Sequence, residues 1–268
     1  MPHRKNRPVE FVVRMNETFS KRLPSSLPVL NVLDNEHPCS YLPDRTATMP
    51  LIYPGRLVEE SEFDHMLEHG LRRSGRFAYF TACQNCQLCE PTRLDVHRFR
   101  WTDSWRRIVN RGDRLLEVRL DKPTIDAPRL NLFNLHRNTR ELGAGDQDYS
   151  EYDYEGFLVE SCCTSTYELS FWRDDELIAV SIIDCGEQAI SAVYTYFNPE
   201  HSKLSLGSYS VLKQIQIAEK TERRFVYLGM YVAGNRHLNY KSRFLPQQRY
   251  IEGQWMDFHD RLEVPTDS

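Results

Sequence analysis

The residues best suited to chemistry in this 268-residue chain begin with three cysteines separated by two residues each, Cys83, Cys86 and Cys89. Soft, negatively charged thiolates of this kind hold zinc or an iron–sulfur cluster, each of which takes about four protein ligands. Three are local, so a fourth must come from elsewhere. Cys39, in the segment HPCSYLPDR (37–45), is the expected donor, with His37 and His97 as weaker alternatives. The plainer reading is a set of free thiols packed as small hydrophobes. Seven cysteines, an odd and clustered set, indicate a reducing compartment rather than a disulfide framework. Cys162 and Cys163 are adjacent and would point to different sides of a helix, so they, with Cys185 at a strand end, read as structural.

The second constellation is cationic. The chain carries 34 Lys and Arg against 38 Asp and Glu, a net charge of −4, which taken alone argues against a polybasic nucleic-acid or membrane binder. The distribution reverses that argument. Residues 71–112 hold nine arginines and three acids, whereas 141–160 holds seven acids and no Lys or Arg. Arg72, Arg73 and Arg76 flank Gly75, Arg93 follows the cysteines, and Trp105 stands beside Arg106 and Arg107. Guanidinium forks suit phosphates and carboxylates, and an aromatic ring can stack on an unpaired base. A solvated charged face is the bland alternative for any one of them.

The third constellation is Tyr194, Tyr196, Tyr227, Gly229, Asn239, Tyr240, Lys241 and Arg243. Tyr194 and Tyr196 lie two apart on an expected strand and so share a face. That face is either ordinary aromatic packing or the wall of a cleft.

These residues need elements to position them. The pattern predicts a helix over 58–70, strands at 76–81 and 92–99, a short basic helix after Asp103 or Ser104 that stops at Gly112, and a strand or helix start at 114–120. Helices are expected around 129–142 and 152–165. Strands at 167–173, 176–185 and 189–198 are joined by turns so short that an antiparallel meander is the economical pairing. A helix over 208–220 and a strand over 225–232 follow. Meander, helix and strand together are the skeleton of an acetyltransferase-like domain. The fold class is therefore α+β: a flexible arm (1–30), a small Cys-containing α+β domain (31–125), an acetyltransferase-like (GNAT-type) domain (126–256) and a tail (257–268). Acetyl-CoA enzymes of that fold cradle pyrophosphate on a glycine-rich helix entry. Here the entry reads SLGSYS (205–210), preceded by Leu204, which disfavours CoA. No stretch is apolar enough to span a membrane and no signal peptide is evident, so the expected location is cytoplasmic.

The segments HPCSYLPDR, HGLRRSGRFAYF, CQNCQLCEPTRL, SLG, YLG and NYKSRFLPQQRY, in that order from about His37 to Trp255, resemble the bacterial leucyltransferases that act on N-terminal Asp and Glu. These are short relatives of the eukaryotic arginyl-tRNA–protein transferases. The resemblance implies an aminoacyltransferase that moves leucine from Leu-tRNA to the α-amine of proteins with N-terminal Asp or Glu, marking them for N-end-rule degradation. Arginyl transfer and a non-catalytic, metal-bearing RNA-binding module are the alternatives. It also implies that transfer needs no cofactor, and that Cys39, Cys83, Cys86 and Cys89 form the family's metal or cluster site. Two departures stand out. Leu42 replaces a family cysteine, and the spacing at 83–89 differs from the adjacent pair of the eukaryotic relatives. On this reading Tyr194, Tyr196 and Tyr240 line the catalytic site, Lys241 stands near the tRNA end or the oxyanion, and Asp184 accepts from the attacking amine. Arg72, Arg73 and Arg93 are expected to hold the acidic side chain, with Arg76, Arg107, Asn239 and Arg243 as further substrate contacts.

Overall fold

The computed structural model describes residues 21–33, 36–142 and 147–260. Residues 1–20 of the expected arm, the first half of the acidic link and residues 261–268 of the tail lie outside them. The N-terminal strands are β1 (Val29–Leu33), β2 (Glu36–Pro38), β3 (Thr46–Thr48), β4 (Leu51–Pro54), β5 (Arg72–Ser74) and β6 (Phe77–Tyr79), with helix α1 (Glu60–Glu68) before β5. Then come β7 (Glu90–Asp95), α2 (Asp103–Leu115), β8 (Glu117–Asp121), α3 (Ala127–Thr139) and the one-turn α4 (Glu151–Tyr154). The meander is β9 (Thr166–Arg173), β10 (Glu176–Cys185) and β11 (Ala189–Phe197), followed by α5 (Leu206–Lys220), β12 (Phe225–Tyr231), β13 (Gln247–Ile251) and β14 (Gln254–Phe258).

A four-stranded sheet, β1-β4-β6-β5, and an eight-stranded sheet, β14-β13-β7-β12-β11-β10-β9-β8, carry most of the chain, with β2 and β3 as a separate pair. β9, β10 and β11 pair antiparallel, as their two- and three-residue connections require. The strand at 90–95 does not stay with the Cys-containing half. It lies between β12 and β13, in the interior of the large sheet, and its buried run Pro91–Asp95 has the profile of a strand covered on both faces. The edge strand β8 also comes from before residue 126.

One face of the large sheet is covered by α2 and α5, with Trp105, Val109, Leu212 and Ile215 packed on Phe171, Ile183 and Val226. The opposite face is shared. Leu132 and Phe133 of α3 pack on Ile182 and Tyr196, while α1 and the small sheet bring Phe63, Met66 and Ile52 against Ala189 and Tyr227. A bulge at Val193, where the β10–β11 register shifts, changes the alternation so that Ala189 and Tyr196 meet the same side.

Several expectations change in detail. Gly112 does not end α2. It lies inside the helix, where the Tyr209 ring would stand 2.3 Å from any Cβ, so it serves a close helix–helix approach. The cap is Thr102, whose hydroxyl accepts from Trp105 N. The expected helix over 152–165 is only α4 and a single wide turn to Val159. Beyond it, Val58 N donates to Cys162 O and Cys162 N to Gly75 O, so these backbone groups are spent on the small sheet's loops. The β13–β14 hairpin was not foreseen.

Candidate active site

β11 and β12 run parallel only as far as Ser191 and Tyr227. Past that point β11 pairs with β10 alone and β12 with β7, so the strands separate and leave main-chain carbonyls facing a gap. Two cations fill it. Arg72, on β5, donates from Nη2 to Ala192 O at 2.5 Å, and Lys241 donates from Nζ to Met230 O at 2.5 Å. Both side chains are buried, at 6% and 5% exposure. Between them lies Gly229, with φ +86°, where a Cβ would stand 3.2 Å from Arg72 Nη2 and 3.9 Å from Lys241 Nζ. Only glycine takes that backbone conformation and leaves the cations their room.

Among the described residues neither cation has a carboxylate partner, and Arg72 Nη1 is buried with no hydrogen bond. Burial, and then the charge of Arg72, pull the Lys241 ammonium down to about 7, so near neutral pH its charged and neutral forms are both populated. Burial also lowers Arg72, which stays charged regardless. Tyr79 and Tyr41 stand close to Arg72, and both hydroxyls are pushed well up: Tyr79 chiefly by burial, Tyr41 first by Tyr79 and then by burial. These two tyrosines were missed, although Tyr41 sits in the HPCSYLPDR segment.

The turn that carries Lys241 is built from both halves of the chain. Asn239–Arg243 is a short 3-10 turn whose Lys241 and Phe244 carbonyls accept from Gln247 Nε2 at 2.9 and 3.0 Å. Phe244 stacks on Trp105 at 4.7 Å, with ring planes 7° apart. Trp105 is therefore a buried anchor, not a base-stacking platform.

The other named residues separate into distinct groups. Arg73 donates from Nε to Asp184 Oδ2 at 2.7 Å and from Nη1 to Glu160 O, and Asp184 Oδ1 accepts from the Thr166 hydroxyl at 2.6 Å. Both members are wholly shielded. Asp184 therefore holds Arg73 rather than facing an amine, and Arg73 is committed inside the protein. Arg93 is also committed, to Glu68, to Gln248 at 2.8 Å and to the Tyr227 hydroxyl, between the Phe225 and Trp255 rings. Tyr196 is fully buried with its hydroxyl on Tyr154 at 2.6 Å, which makes it packing rather than cleft wall. Tyr194 stacks edgewise on Phe157 and lies nearer the surface. Tyr240 sits beside Lys241 and packs on Phe244. Asn239 is half-buried at the start of the turn. Arg243 is exposed over Trp105, Arg107 is exposed on α2, and Arg76 pairs with Glu160 at 2.7 Å.

Cys39, Cys83, Cys86 and Cys89 line one small cavity with Tyr41 and Leu42. The Cys89 thiol is pushed up to about 12, by burial first and then by Cys39, Cys83 and Cys86. Four soft sulfurs around one void are the donor chemistry of zinc or an iron–sulfur cluster. In the geometry described, no group of three or more His, Cys, Asp or Glu among the described residues stands in a metal-holding arrangement.

Two family models cover the chain: the N terminus of arginine-tRNA-protein transferase matches residues 37–107, and its C terminus matches 128–251. The chain belongs to the arginine-tRNA–protein transferase family. It is an enzyme, an aminoacyl-tRNA–protein transferase. Among its relatives, the aspartate/glutamate leucyltransferase of Chromobacterium violaceum is 35% identical over 82% of this chain and 90% of its own length. That of Saccharophagus degradans is 35% identical over 83% and 94%, and that of Acinetobacter baylyi 32% over 82% and 80%. The transferase also superposes on the solved structure of L-PGS from Bacillus licheniformis, at 14% identity and TM-score 0.47 over 67% of this chain and 62% of that one. No helix of its described residues is long and apolar enough to cross a membrane.

Proposed function

We propose that this transferase moves leucine from leucyl-tRNA to the α-amine of proteins whose first residue is Asp or Glu, with the gap between β11 and β12 as the reaction centre. One observation carries the placement: two buried cations side by side, Arg72 and Lys241, with no carboxylate among the described residues in ion-pair contact with them. A buried charge without a counterion is costly, and an incoming carboxylate relieves the cost. Arg72 Nη1 takes the acidic side chain of the acceptor. Lys241, half unprotonated near neutral pH, accepts the proton that the α-amine loses as it attacks the ester carbonyl, and returns it to the tRNA oxygen as the amide forms and the ester C–O bond breaks. The ester is already activated, so alignment and charge stabilisation suffice and no covalent enzyme intermediate is needed. Tyr240 lines the gap beside Lys241, while Tyr194 flanks the approach. The acetyltransferase-like reading of β9–β12 with α5 rests on the same meander and strand separation, and a cytoplasmic site of action accords with the free cysteines.

The four cysteines are proposed as a structural site. Cys39, Cys83, Cys86 and Cys89 would hold zinc or an iron–sulfur cluster, which would tie the β2–β3 pair to the loop before β7. Elemental analysis of anaerobically purified protein checks this, with about one zinc or iron–sulfur cluster per chain expected and metal-free protein as the contrary result.

The decisive assay mixes the protein with tRNA charged with leucine or with arginine and a peptide beginning with Asp, Glu or Ala. Leucine should appear on the Asp and Glu peptides only. Arginine transfer instead would reassign the donor, and transfer to the Ala peptide at equal rate would remove Arg72 from its role.

A further inference from the structure

The far end of β5 opens into a cavity of about 610 Å³ whose walls include Ser74 and Phe77 of the small sheet and Asp148, Tyr149, Glu155 and Phe157 from the segment around α4. Gly75, at φ +55°, lets the two walls touch, because a Cβ there would stand 2.2 Å from Gly156 O. The cavity and Arg72 lie along the same strand. Arg72 and Ser74 are two positions apart on one strand, roughly 7 Å at the usual rise. A polypeptide advances about 3.3–3.6 Å per residue, so a chain whose first side chain rests on Arg72 brings its second and third residues here.

We propose that this cavity seats the residues that follow the N-terminal Asp or Glu of the acceptor polypeptide and favours a lysine or arginine among them. The inference rests on the reading of Arg72 given above. Charge selects the occupant. Among the described residues that line it, the one cation, Arg76, is already paired with Glu160. Asp148 accepts only from Asn138, and Glu155 has no basic partner among the described residues. Such a rim repels an RNA backbone and attracts a cationic side chain. Phe77 and Phe157 offer ring faces and apolar surface to the aliphatic stem of that side chain, with cation–π attraction at its tip, while the Tyr149 ring already carries the Arg137 guanidinium at 4.2 Å.

The test compares kcat/KM for three peptides that begin with Asp and carry Lys, Ala or Glu at both the second and third positions. The expected order is Lys above Ala above Glu, with about a tenfold spread between the extremes. In the double variant D148N/E155Q the Lys-to-Glu ratio should fall toward one, whereas E151Q, in the same acidic run but outside the cavity, should keep it. Equal rates for the three peptides, or a ratio unchanged in the double variant, overturns the proposal. So does a double variant that alters the KM for charged tRNA instead, since the cavity would then serve the nucleic acid. Failure of the unmodified protein on all three peptides would defeat the parent reading of the site, and is separated from the other outcomes by that pattern.

Discussion

Arg72 and Arg73 are neighbours on one short strand, yet their guanidiniums meet opposite surroundings. Arg73 turns to the β9–β10 side, where Asp184, itself held by the Thr166 hydroxyl, and the Glu160 carbonyl receive it, and Arg129 on α3 is matched by Glu168 in the same way at 2.7 Å. Arg72 turns to the gap beyond β11, where it meets a carbonyl, two tyrosines and a second cation, and feels the Asp184 carboxylate only at a distance. Equal burial therefore serves two purposes. A charge supplied with its counterion holds the protein together, and a charge left without one is held ready for a counterion that arrives with the substrate.

The paired side should break hardest. Asp184→Ala strands Arg73 in the interior and is expected to cost about 3–5 kcal/mol of stability, read by denaturant unfolding. Lys241→Ala should sharpen the contrast. Transfer falls on the order of 100-fold, as for loss of a proton acceptor, while stability at neutral pH falls less than for Asp184→Ala, because relief of the buried ammonium offsets the lost bond to Met230 O. The pH dependence follows from linkage. Above pH 7 the folded lysine is neutral while the unfolded one still binds a proton, so wild-type stability rises with pH between about 7 and 10. Lys241→Ala removes that rise. It also removes one of two ionisations from the acid limb of kcat/KM, leaving that of the acceptor amine near 7.7–8.0.

Arg72→Ala comes next, with about 10- to 100-fold lower kcat/KM on Asp and Glu peptides, the worth of one charged hydrogen bond, and a smaller change on neutral ones. The smallest effect is expected at the rim. Arg76→Ala breaks an exposed pair with Glu160 and should shift stability by less than about 1 kcal/mol. An Arg76 variant as damaged as the Asp184 variant would erase the distinction between the two kinds of site.

The meander and the helices around it were legible because alternation and turns of two and three residues leave few ways to pair strands. The β13–β14 hairpin was hidden because its inward residue is Arg249, stacked 3.6 Å from the Tyr231 ring, so the apolar alternation is broken where burial is deepest. At the site, residue types were legible but partners were not. Lys241 and Arg72 stood out as basic residues in ordered segments. Nothing local in the sequence distinguishes Arg72 from Arg73, because the partner that decides between them, Asp184, lies 111 residues further on. The same distance misled the reading of Asp184, which as a carboxylate at a strand end looked accessible. Tyr196 looked like a cleft residue for a similar reason, since Tyr154 reaches it only through the fold.

The placement of β7 has a further consequence. A chain cut at residue 126 would leave its second part with a slot one strand wide between β12 and β13, and would strip the edge strand β8 from β9. The first part keeps its four-stranded sheet, but the second carries no finished sheet. The segments matched by the two family models must therefore be inherited as a pair: a gene that exchanged one of them for a distant cousin's would be asked to rebuild the centre of a sheet, not to swap a module.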